Sequence, residues 1–192
     1  MKKLIVTTLA SLAAVAVFGQ GQVAFVNLNG AAGVNAPVLD GLNTTLRLAG
    51  ANYQAGLFAG STSTSLAYIG NATPFLTAGG AGYFNGGATT LAGIPGGSTV
   101  WLQVVAWDAT LKGTATGASW AQATAFDAAG ANDVWGMSKV FSVVAADPTT
   151  SPPQTPSALV GLQSFALSVP EPSTFALMGL GAAALMIFRR RK

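Results

Sequence analysis

The sequence predicts an all-β protein: a two-layer antiparallel β-sandwich with one short helix, flanked by an N-terminal signal helix and a C-terminal transmembrane helix. Three observations predict it. Short apolar runs are separated throughout by glycine, alanine, threonine, serine and asparagine, the punctuation of many strands joined by turns. The stretch Thr99–Trp107 is apolar on both of its alternating sets, as a central strand covered on both faces should be. Apolar segments with adjacent cations stand at both ends, leaving residues 20–169 as one body large enough for a hydrophobic core.

In chain order, Lys2 and Lys3 form a positive start and Leu4–Phe18 is an alanine-rich apolar run, the pattern of a secretory signal rather than a full membrane span. Cleavage sites follow Ala16 and Gly19. The second is preferred because QGQVAFVNL then opens the mature chain with a strand, so residues 1–19 are read as a signal peptide served by Sec-type export machinery and signal peptidase. Strands are expected at Gln22–Leu28, Thr44–Ala49, Tyr53–Ala59, Leu66–Ile69, near Gly82–Phe84, and at Val100–Trp107, Lys139–Val144 and Gly161–Val169. These runs suit a sandwich better than an open sheet, which would leave an apolar face in water. Leu102 and Val104 are expected in the core. In the last strand, Gln163, Phe165, Leu167 and Val169 form the inward set. The proline-rich crossing 146–157 forbids regular structure between the last two strands.

Ser119–Gln122 fits a capping box, and the alanines that follow favour a short helix to Phe126, with Gly130 after its end. This places Trp120 and Trp135 in the longest connection. There they serve either as an apolar lid over one end of the sandwich or as a stacking platform for sugar rings, with Asp127 and Asp133 as neighbouring ligand-binding carboxylates.

A sequence pI near 9.5 invites a nucleic-acid reading, but the charges sit at the ends. Between them only Arg47, Lys112 and Lys139 oppose Asp40, Asp108, Asp127, Asp133 and Asp147, so the interior is mildly acidic and no nucleic-acid partner is expected. The chain has no histidine and no cysteine, which removes the common nucleophile and base pairs, zinc sites and thiol chemistry. Glu171 is the sole glutamate and stands in the C-terminal segment, so acid–base work would fall to aspartates. A pair of these could run glycoside hydrolysis, but Asp127 and Asp133 read as turn residues. Asp127, Asn132 and Asp133 do not follow a calcium-loop pattern, and Gly79–Gly82 is followed by no phosphate-loop lysine. No catalytic residue, metal or cofactor is expected, and the protein is read as a non-enzyme.

The chain closes on Val169-Pro170-Glu171-Pro172-Ser173-Thr174, an apolar run rich in glycine and alanine, and Arg189-Arg190-Arg191-Lys192. The prolines disfavour helix and ladder alike and hold Glu171 in an extended, accessible segment. The apolar run Phe175–Phe188 is short for a bilayer span, but with its flanking residues and snorkelling arginines it can cross, the cations forming a cytoplasmic basic stop. This motif, helix and basic cluster, in that order, resembles the PEP-CTERM sorting signal of exported bacterial proteins. The body segments QGQVAFVNL, LQVVAWDA and GLQSFALSV also resemble the bodies of some of these proteins, which implies no activity.

The resemblance implies that residues 170–192 form a sorting signal with a transmembrane sorting helix at 174–188. It also implies that Val169–Thr174 is read by an exosortase at the inner membrane, a transient anchor, in bacteria that often make exopolysaccharide. The expected function is that of an exported, exosortase-sorted component of the cell surface or extracellular matrix, structural or binding in role, with exopolysaccharide as an associate. The alternative is a carbohydrate-binding or carbohydrate-active module using aspartate and tryptophan at loop ends.

Overall fold

A computed structural model describes residues 19–41, 45–110, 119–121 and 135–167. Within them the chain is mainly β, with several sheets and few helical residues. The strands are β1 (Gln20–Val26), β2 (Leu28–Asn29), β3 (Val34–Asn35), β4 (Val38–Leu39), β5 (Gly50–Thr62), β6 (Ser65–Phe75), β7 (Asn85–Pro95), β8 (Thr99–Asp108), β9 (Trp135–Met137), β10 (Phe141–Val144), β11 (Ser157–Ala158) and β12 (Phe165–Ala166).

The long strands form two sheets. One has the order β11-β1-β7, and the other β10-β8-β5-β6 with β9 also paired to β8. β10 and β9 share one edge of β8 in tandem: β10 lies opposite Thr99–Leu102 and β9 opposite Val105–Trp107. Between them Ser138 bridges the gap, its backbone N–H donating to the Val104 carbonyl at 2.8 Å and its hydroxyl accepting from the Val104 N–H at 3.0 Å. Two-stranded pairings of β2 with β3 and of β12 with β4 complete the set.

One buried cluster draws on both large sheets. Val23 and Phe25 of β1 and Leu91 of β7 meet Ala55 and Leu57 of β5 and Val100, Leu102 and Val104 of β8. Leu102 and Val104 are fully buried, as the alternation of Thr99–Trp107 requires. The opposite set on β8 is also covered, because Val105 and Trp107 belong to a second buried cluster on the outer face.

Several elements depart from the sequence expectation. The strand expected at Thr44–Ala49 is reduced, in its described part, to a bridge between Arg47 and Leu39, and that near Gly82–Phe84 to a bridge between Phe84 and Phe75. The principal strand there is β7, whose glycine, threonine and alanine read as turn residues. Pairing with β1 along Gln20–Val26 makes it a strand, and its Thr89, Leu91 and Ile94 turn inward. In its described part the expected last strand forms a ladder at Phe165–Ala166, with Leu167 buried and Gln163 exposed. Gly161, with a positive φ of 104°, turns the chain before it. Ser157, at the end of the proline-rich crossing, begins β11, which pairs parallel with β1.

Asn27, at the bend between β1 and β2, is fully buried. Its amide donates to the Ala36 carbonyl at 2.8 Å and the Gly82 carbonyl at 2.9 Å, while its oxygen accepts from the Phe84 N–H at 2.7 Å. One side chain thus ties the β1–β2 bend to the segment after β3 and the segment before β7, where the β2–β3 and β1–β7 ladders end.

Candidate functional site

β5 and β8 run antiparallel with Phe58 opposite Gln103 and Gly56 opposite Val105. Period-two alternation places Phe58, Val105 and Trp107 on the outer face, away from the main core. Tyr68, opposite Phe58 on β6, joins them at a ring-centroid distance of 5.3 Å. Gly56 makes room for this: a β-carbon there would approach the Tyr68 ring to 2.7 Å and Trp107 to 3.1 Å. Burial pushes the Tyr68 hydroxyl above its ordinary pKa, because the phenolate would lose hydration.

Trp120 closes the cluster. Its ring lies 5.7 Å from Trp107, 5.7 Å from Trp135 and 5.9 Å from Phe58, each contact edge-on or nearly so. Only 9% of Trp120 remains exposed. The two tryptophans singled out in the sequence are thus brought together, but Trp120 uses its faces and edges on other rings. Trp135 lies in β9 rather than in a loop, held by pairing with Trp107. This arrangement packs Trp120 among Phe58, Trp107 and Trp135 on the outer face of the sheet, with Trp135 half-buried. The signal for its further members, Phe58 and Trp107, was present in the second alternating set of β8 and the facing set of β5. Trp120 and Ala121 are helical; the continuation expected to Phe126 lies outside the described residues, as do Asp127 and Asp133.

Asp108 and Asp147 make turns. Asp108 accepts from the Thr110 N–H at 2.8 Å and hydroxyl at 2.6 Å, and Asp147 does the same with Thr149 at 2.8 and 2.6 Å. The Thr149 hydroxyl, and then its N–H, hold the Asp147 carboxyl below the ordinary aspartate range. Tyr53 is pushed up by burial first, then by the negative charges of Asp108 and Asp40. Among the described residues no group of three metal-ligating side chains converges. An open groove of about 610 Å³ runs beside β10 and β11, and its lining, which includes Ser142, Val144, Pro156 and Val160, is uncharged.

The sorting segment Val169–Thr174 and the cations Arg189–Lys192 lie outside the described residues, so this site is defined by its sequence. Residues 168–192 match the PEP-CTERM protein-sorting motif. The chain therefore carries a C-terminal motif of the kind that marks exosortase substrates. No curated protein and no solved structure matches the chain.

Proposed function

We propose that this protein is exported through a cleaved signal peptide at residues 1–19, held briefly in the inner membrane by a helix at 174–188, and processed by an exosortase at Val169–Thr174. The β body then serves at the cell surface or in the extracellular matrix as a structural or binding component, in association with exopolysaccharide and without enzymatic activity. The observation that carries this reading is the sorting motif at residues 168–192. Two lines support the role of the body. Its large sheets share one buried cluster, which supports a two-layer sandwich as its architecture. Two of its described carboxylates, Asp108 and Asp147, are engaged in turns, which supports a scaffold rather than a catalyst.

The test replaces Glu171 with alanine and, separately, Arg189–Lys192 with serines, followed by fractionation and intact-mass measurement. The first variant should be exported yet accumulate unprocessed in the membrane with its cations intact. The second should lose the stop that positive residues provide and leave unprocessed chain outside the membrane fraction. Normal trimming and release of the Glu171→Ala protein would remove the sorting assignment.

A further inference from the structure

We infer that β10 is a self-pairing edge, through which two copies of this chain join their five-stranded sheets antiparallel about a twofold axis at Val143. The argument begins with the direction of the backbone groups. Ala145 donates to the Ser98 carbonyl at 2.9 Å and accepts from the Gly97 N–H at 2.8 Å, so its amide and carbonyl face the β8 side. Ala146 exchanges hydrogen bonds of 2.9 Å with Gln22 on the opposite side. Strand alternation carries this back along β10: Phe141 and Val143 direct their N–H and C=O toward β8, and Ser142 and Val144 direct theirs outward.

No described strand pairs with that outer side of β10. The groove of about 610 Å³ opens there. Val144 at its lip is 57% exposed, and Val160 across it is 56% exposed. Outward amides and carbonyls alternating along an extended segment are a ready template for another extended backbone.

A second copy fits this edge for two reasons. First, the edge is self-complementary. Antiparallel pairing centred on Val143 sets Ser142 opposite Val144 of the other copy and Val144 opposite its Ser142. Every outward group of β10 is then used, in two hydrogen-bonded pairs. Pairing cannot extend past Val144, because Gln22 occupies the edge at Ala146. Second, the groove lining carries no charged gatekeeper against an approaching strand. The exposed valines provide the apolar area beside the ladder.

The experiment uses the absence of cysteine from the chain. At the axis, Val143 of each copy would form a non-hydrogen-bonded cross-strand pair, the arrangement that brings β-carbons closest. Full-length Val143→Cys protein, mildly oxidised, should therefore give a disulfide-linked dimer. Tyr68→Cys, on the outer sheet face, should give little. Adding Val144→Lys should reduce the yield of the Val143→Cys crosslink several-fold, and adding Ser142→Glu to that variant should restore it, since the register places residue 142 of one copy opposite residue 144 of the other. Equal crosslinking at positions 143 and 68, no crosslink at 143, or failure of Ser142→Glu to restore it would each overturn the self-pairing edge. So would a groove that takes up an added peptide while the chain stays monomeric. Processing of the C-terminal motif is read independently by mass, so either proposal can fail alone.

Discussion

Replacing Asn27 with leucine, a side chain of similar size with no hydrogen-bonding atoms, isolates what its three hydrogen bonds contribute. In the native fold the Asn27 amide reaches the carbonyls of Ala36 and Gly82, and its oxygen receives the Phe84 N–H. Gly82 would keep one partner after the change, because its carbonyl also accepts from the Val38 N–H at 2.9 Å. The Ala36 carbonyl and the Phe84 N–H would each lose the partner that Asn27 provides, in a site closed to solvent. A buried backbone group left without a partner costs about 1–3 kcal/mol, so two such groups cost about 2–6 kcal/mol. A domain of this kind is stable by only about 5–15 kcal/mol, so the loss is large. Urea denaturation followed by tryptophan fluorescence should show the midpoint falling with the slope retained. A loss under about 1 kcal/mol would refute the reasoning, since it would mean that the three segments are held by packing and the amide is incidental.

Thr89 is buried on β7 with its hydroxyl unpartnered among the described residues. Thr89→Val should therefore raise stability by about 1–2 kcal/mol in the same denaturation assay, and a loss would show that the hydroxyl has a partner. For Asp147, whose folded-state pKa is lowered mainly by the Thr149 hydroxyl, the linked stability is present above the ordinary aspartate pKa and declines as pH falls through the folded value. An NMR titration should place the Asp147 midpoint below the ordinary range. Thr149→Val should move it upward, and an unchanged midpoint would contradict the turn geometry.

The parts of the protein legible in the sequence were those whose signal is local. Val100–Trp107 announced a strand covered on both faces because each of its alternating sets is apolar, and Leu102 and Val104 are indeed buried. The motif at residues 168–192 is readable without any fold, since its order of motif, apolar run and cations is itself the signal. β7 was not legible. Its glycines and threonines favour turns in isolation, and it becomes a strand through hydrogen bonds to β1, a segment distant in sequence whose register only the folded chain specifies. The same holds for Asn27, which reads as one polar residue among many until Ala36, Gly82 and Phe84 are brought around it. It holds also for Trp120, whose ring neighbours Phe58, Trp107 and Trp135 are assembled only by the fold. Composition and periodicity determined that this chain has a β-rich body, and the motif at residues 168–192 marked the sorting tail. Long-range pairing decided which polar groups are buried, which aromatic faces are covered and which strand edge is left open, because each of those depends on residues distant in sequence becoming neighbours in space.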